Sequence, residues 1–324
     1  LEIRKKLHPG NHEDIAASLD NMATLNHEKG NLPQAEKYFQ EGLAMRRNLY
    51  PKGSKEVSDS LNNMGVLLHD EGKLADAEKA YRECLEMRYN FYGAEADETA
   101  STITNLGAVL IEKEDFPAAE SMMRKALELD RKRWGDKHPN VSFSMNNLAF
   151  CLEKQGKIDE AAPLYKTCAE MNPKILGPEH PITTRGMCNL GRILMLQGNL
   201  QEAEPVLRKA LEIQKRIMEA NHPQIGNTMM TLAQALQRKN QCTEAEPLYR
   251  DAIAIYIKSN YRPHIRAITT SLLGDCLTTM NRFPEAEKLL SESHSELVSL
   301  KGTQWQETKL AQTRLDHLYE VWKK

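Results

Sequence analysis

Leu61-Asn-Asn-Met-Gly65, followed by Gly72-Lys-Leu-Ala-Asp-Ala-Glu78, decides the fold of this 324-residue chain, because the pattern keeps returning. It occurs as Leu19-Asp-Asn-Met-Ala23 with Gly30 and Ala35-Glu36, and as Ile103-Thr-Asn-Leu-Gly107 with Ala119-Glu120. It occurs again as Met145-Asn-Asn-Leu-Ala149 with Gly156 and Ala161, and as Met187-Cys-Asn-Leu-Gly191 with Gly198 and Ala203-Glu204. Ala35, Ala77, Ala119, Ala161, Ala203 and Ala245 are spaced 42 residues apart, and Ala286 follows after 41. A constant period of this size marks a stacked repeat protein. Such a protein grows by adding units, so one continuous core is expected rather than the two domains that length alone suggests.

Each unit reads as two helices. In the first, predicted over 57–70, Leu61, Met64, Leu67 and Leu68 form an apolar stripe at helical spacing. Gly72 then ends it, because glycine tolerates the left-handed conformation beyond a helix terminus. The second, predicted over 74–91, carries Leu74, Ala77, Tyr81, Leu85 and Met87. Ala77 and the small residue Cys84 let the pair approach closely; Cys84 and Cys168 share their column with Gly42, Ala126, Ala210 and Ala252. The linking loops repeat too: Trp134-Gly-Asp-Lys-His-Pro139, Leu176-Gly-Pro-Glu-His-Pro181 and Met218-Glu-Ala-Asn-His-Pro223. The proline in each suits the first position of a helix, where no N–H is needed.

These motifs together resemble the tetratricopeptide repeat. That repeat usually runs about 34 residues. The longer 42-residue period and the Gly-x-x-His-Pro loop resemble the kinesin light chain subtype. The resemblance implies an all-α fold, a TPR α-solenoid in the form of a right-handed superhelix of helical hairpins. On this reading 1–12 is the tail of a preceding repeat, 13–301 holds seven tandem repeats, and 302–324 is a partial eighth repeat or capping helix. Both ends then suggest a fragment of a longer protein.

Composition narrows the function classes. The chain has 43 basic and 45 acidic residues, a net charge of −2, and no overall pull toward nucleic acid or an anionic membrane. It has no run of 18 apolar residues and hence no expected membrane span. Its six cysteines have no paired spacing, so a reducing, cytoplasmic setting is expected. There is no G-x-S-x-G, Gly-rich phosphate loop, H-E-x-x-H or C-x-x-C, so neither catalysis nor a cofactor is expected. His138, His180 and His222 recur one per repeat, too far apart to converge on one metal ion, and are read as a loop signature.

The candidate site is the face of the first helices, which should line the concave side of the solenoid. It carries an asparagine column at Asn21, Asn63, Asn105, Asn147 and Asn189. Asparagine offers two donors and an acceptor, so a row of them can hold the backbone of an extended peptide. The same row could instead bond neighbouring helices and set their register. The column breaks at Thr231 and Leu272. Phe143 and Phe150, seven apart, share a helix face beside Asn146 and form either an apolar anchor pocket or extra core. Arg185 and Arg192 offer a bidentate site for a carboxylate or phosphate, or else a solvated surface. Around them the face is expected to run from acidic (Asp20, Asp59, Asp70, with His27 and His69) through Ile111 and the phenylalanines to basic (Arg185, Arg192, Arg238).

The resemblance implies that the groove asparagines contact bound peptide and that the ligand carries an aromatic anchor flanked by acidic residues. The expected function is therefore a non-enzymatic protein-interaction scaffold that binds an extended segment of a partner protein. The alternative is a sensor or regulatory solenoid of a larger ATPase, kinase or protease, with another domain of the same protein as its ligand. Three arginines are too few for the usual phosphate contacts of a nucleic-acid site.

Overall fold

A computed structural model describes residues 1–322; Lys323 and Lys324, the end of the expected capping segment, lie outside the described residues. Sixteen α-helices and no strand occur among the described residues. After α1 (Glu2–Leu7) come helix pairs: α2 (Glu13–Glu28) with α3 (Leu32–Leu49), α4 (Lys55–Asp70) with α5 (Leu74–Phe91), and α6 (Asp97–Glu112) with α7 (Phe116–Trp134). Then follow α8 (Pro139–Lys154) and α9 (Ile158–Ile175), within which the boundary between two units falls, and the pair α10 (Pro181–Leu196) with α11 (Leu200–Ile217). The last are α12 (Pro223–Arg238) with α13 (Cys242–Lys258), α14 (Pro263–Thr279) with α15 (Phe283–Lys301), and finally α16 (Gln306–Trp322). Contacts divide the chain into two compact units, Leu1–Ala161 and Ala162–Lys324.

The helix starts explain the His-Pro loops. His12, His138, His180 and His222 each cap a first helix, their Nδ1 accepting the backbone N–H two residues on at 3.1–3.2 Å. This satisfies one of the four orphan donors of a helix start. The turn inside each hairpin needs a left-handed residue. Gly30, Gly72, Gly156 and Gly198 supply it with φ of 75–82°, whereas Glu114, Asn240 and Asn281 adopt φ of 59–62° at the corresponding positions. Glu114 pays the steric cost that glycine avoids there.

Close approach within the hairpin rests on small residues. Ala35, Ala77, Ala119, Ala161, Ala203, Ala245 and Ala286 are all fully buried. Opposite them, Gly65 lies under the Tyr81 ring and Gly191 under Leu207. In unit 2 one apolar cluster runs from Cys188 through Tyr249 and Tyr256 to Leu318.

Between repeats, the Glu of five Ala-Glu pairs reaches a cation in the following hairpin turn. In unit 1 Glu36 meets Lys73 at 2.7 Å, Glu78 meets Lys113, and Glu120 meets Lys157 at 2.7 Å. In unit 2 Glu204 meets Lys239 at 2.6 Å and Glu246 meets Arg282 at 2.7 Å. The ladder skips Ala162, where the cation position is Asn199. Lys157, hydrogen-bonded to Glu120, holds that carboxyl down to about 2 against the opposing effect of burial.

Two outcomes follow. Gly65→Ala would place a Cβ 2.7 Å from the fully buried Tyr81 ring, so urea denaturation should show a loss of about 1–3 kcal/mol; an unchanged midpoint would refute the packing argument. Because the Glu120 pKa is lowered on folding, its stabilisation is present above the ordinary glutamate range and is lost as pH falls through about 2. Glu120→Gln should therefore lower the melting temperature at neutral pH and flatten its fall on acidification, measured by circular dichroism across pH 2–6.

Candidate functional site

The five asparagines of the column are not sealed between helices. Asn21 is exposed, and Asn63, Asn105, Asn147 and Asn189 are half-buried. Two of them also make local bonds. Asn105 Nδ2 donates to Asn62 Oδ1 at 3.4 Å, linking α6 to α4, and Asn189 Oδ1 accepts from Arg192 at 3.3 Å. Where the column breaks, its position turns inward: Thr231 is 2% exposed and Leu272 7%. The accessible row in unit 1 thus covers the first helices α2, α4, α6 and α8, and in unit 2 the first helix α10 presents its own asparagine.

In unit 1, α8 presents Phe143 at 46% exposure and Phe150 at 37%, with half-buried Asn146 and Asn147 on the turn between them. Lys154 Nζ sits 5.4 Å from the Phe150 ring centre. Two aromatic rings left open to solvent on one helix are more than core packing requires. Ile111, expected on this face, is instead 8% exposed and belongs to the core.

In unit 2, Arg185 and Arg192 on α10 fall one 42-residue step beyond Phe143 and Phe150. The same two columns thus carry rings on α8 and cations on α10. Arg192 is half-buried and donates to Tyr165 Oη and Asn189 Oδ1, both at 3.3 Å; burial lowers its pKa to about 10. Arg185 reaches solvent, forms no ion pair among the described residues, and is held below the usual arginine range by partial burial alone. It opens onto a cavity of about 410 Å³, lined also by Asn189, Gln224, Asn227, Thr228 and Tyr261.

The acids of the expected acidic run in unit 1 are engaged by neighbouring side chains. Asp20 pairs with Arg46, which also reaches Glu13 at 2.9 Å and the Ser60 hydroxyl. Asp59 pairs with Arg88 at 2.8 Å, Asp70 with His27 at 2.8 Å, and Glu112 with His69 at 3.2 Å. The reason is a second-helix column: Arg46 on α3 and Arg88 on α5 project beneath the first helices. Burial pushes the Asp20 carboxyl up, while Arg46, shared by two carboxylates, is held up by Glu13 and Asp20 despite its own burial. At the basic end Arg238 is likewise engaged, donating to the Met195 carbonyl at 3.0 Å.

Sequence reading missed Arg46, Arg88, Gln224 and Tyr261. The 42-residue register held the signal for the first two, since both occupy one position of the second helix. A further cluster, His8, His12 and Asp14, has ligand atoms within 4.8 Å of one another. Its imidazoles stack face to face at 3.7 Å and His12 Nδ1 already caps α2, so the two ring planes do not share an ion. The same stack recurs between Trp134 and His138, which marks it as a loop feature.

Two family models described as tetratricopeptide repeat match the chain, one at residues 56–132 and 182–258 and the other at 15–54 and 144–182. No curated protein matches the sequence. Among solved structures, the chain is similar to the nearly identical TPR-like repeats of a Podosopora anserina protein described as a kinesin light chain. That match has 22% identity over 63% of this chain and 96% of the other, with a TM-score of 0.54. BtubC (BKLC) from P. vanneervenii matches at 18% identity over 71% and 93%, with a TM-score of 0.59. The apo form of RapI matches at 11% identity over 95% and 97%, with a TM-score of 0.64. At these identities the likeness concerns the fold alone.

Arg46→Leu leaves Asp20 and Glu13 without their cation in a largely buried setting. Equilibrium unfolding should show a loss of about 3–5 kcal/mol, and a loss below about 1 kcal/mol would show that the buried pair is not what joins α2, α3 and α4.

Proposed function

The chain belongs to the tetratricopeptide repeat family, and from that premise we propose that it is a non-enzymatic interaction scaffold whose first-helix face holds an extended segment of a partner protein. The observation that carries this reading is the row of accessible amides at Asn21, Asn63, Asn105 and Asn147 in unit 1, beside the exposed rings of Phe143 and Phe150. Packed helices lie about 8–10 Å apart. An extended chain advances about 3.3 Å per residue, so an asparagine per first helix meets a peptide group about every third residue. Amides so placed bind backbone and leave side-chain choice to the residues around them.

Those neighbours favour particular partners. An aromatic or aliphatic anchor suits the Phe143–Phe150 pair of unit 1, and acidic residues suit Arg185 of unit 2. Six cysteines, all buried and none in a disulfide, suit a reducing compartment such as the cytoplasm. No described helix is long and apolar enough to cross a membrane.

The test uses peptides selected from a random display library against the full chain and measured by fluorescence anisotropy. Asn147→Ala combined with Phe143→Ser and Phe150→Ser should weaken them at least about tenfold, a change of roughly 1.4 kcal/mol, while the circular dichroism melt stays cooperative. Undiminished binding by this triple variant would remove the groove from consideration.

A further inference from the structure

From α3 to α13 one column of the second helices reads Leu43, Leu85, Leu127, Ala169, Leu211 and Ile253. Its side chains close the seam against the next hairpin: Leu43 shares one buried cluster with Val57 and Leu61 of α4 and Cys84 of α5. In unit 2 Ala169 of α9 stands at that seam, and Met187 of α10 takes the place of Leu61. An alanine is too short to cover what a leucine covers.

The result is an open hollow. Leu61, Ile103, Met145 and Met229 are at most 4% exposed, whereas Met187 in the same column is half-buried. Leu190 also reaches solvent, although its counterparts Leu106, Leu148 and Leu232 are buried. A cavity of about 370 Å³ opens here, lined by Ala169, Pro173, Met187 and Leu190 and by the exposed Glu170 and Lys209, all in unit 2. One repeat earlier, in unit 1, the same register holds a cavity of about 280 Å³ lined by Leu127, Glu128, Arg131 and Leu148 with Arg124. Every charge there is matched within the chain: Arg124 with Glu120 and Glu160, Glu128 with Lys125, and Arg131 with Asp136. In unit 2 Pro173 replaces Arg131, and neither Glu170 nor Lys209 forms an ion pair among the described residues. The glutamate ladder skips this seam as well, at Ala162 and Asn199. The seam is thus larger, more apolar and left with two unmatched charges at its edges.

We propose that this hollow is a docking site for a helix of a partner protein, which supplies the aliphatic side chain that α9 lacks. In the chain's own repeats the residue that closes this seam projects from a helix, and it is leucine at 43, 85, 127 and 211. Glu170 on α9 and Lys209 on α11 set the charges beside it: a Lys or Arg of the partner toward α9, and an Asp or Glu toward α11. The site shares no residue with the asparagine face and does not depend on the groove reading.

The experiment selects helical peptides from a display library on the full chain, with Ala169→Leu as the counter-selector. Leucine at 169 fills the hollow, so this variant should melt about 2–4 °C above wild type. Selected peptides should carry an aliphatic residue, shift the Met187 Cε methyl resonance, and bind wild type at least about tenfold more tightly than Ala169→Leu. An Ala169→Leu chain that melts lower or fails to fold shows that the hollow cannot take a leucine and overturns the proposal, as does one that binds the peptides equally. Independently of that variant, Glu170→Lys combined with Lys209→Glu should weaken the peptides about threefold or more, because both charges are exposed and reversed. Equal binding by the charge-reversed chain overturns the proposal, and so does a library in which no sequence prefers wild type. A concentration-dependent dimer that Ala169→Leu abolishes would make a second copy of this chain the occupant and overturn the assignment to a partner helix.

Discussion

Everything in this fold depends on how near two helices of a hairpin can come. The buried alanine column and the glycines beneath Tyr81 and Leu207 set that distance. Neither helix of a pair can bury its apolar stripe alone, so the hairpin is the smallest unit that makes sense energetically. Once the pair is closed, its second helix projects a fixed position under the first helices of its own repeat and the next. What stands at that position then decides the character of the layer between repeats.

That position is where structure and function meet. Arginine at 46 and 88 pairs with Asp20 and Asp59, so an apparently acidic face carries an ionic layer whose cations are buried. At the same position in unit 2, Gln214 is fully buried and neither atom of its amide has a partner among the described residues. The first helices show a parallel exchange, with rings on α8 and guanidinium groups on α10 at the same two columns. A repeat that keeps its apolar columns constant can vary these few positions, and the polar character of the exposed face differs between repeats for that reason.

The fold was legible in the sequence because it is governed by short-range spacing: the apolar stripes, the Gly and Ala columns and the His-Pro loops all declare themselves within one repeat. Helices predicted over 57–70 and 74–91 are found at Lys55–Asp70 and Leu74–Phe91. The face of Asn63, Phe143 and Phe150 was legible too, since it follows from helical angle. The charge pattern was not. Asp20 and Asp59 are surface-like by spacing, and only the arginine arriving from another helix pairs them. Ile111 was misplaced for the same reason. The division within α9 is likewise not announced by any break in the period, although Ala162 interrupts the glutamate column there.

The glutamate ladder carries a consequence for how the molecule responds to its surroundings. Hairpins close through apolar contacts that dissolved ions barely touch, but successive hairpins are also tied by charged side chains near the surface. At 1 M ionic strength the screening length shrinks to about 3 Å, comparable with the ladder spans themselves. Added salt therefore acts as a selective lubricant, easing one repeat against the next inside each unit while every hairpin keeps its grip.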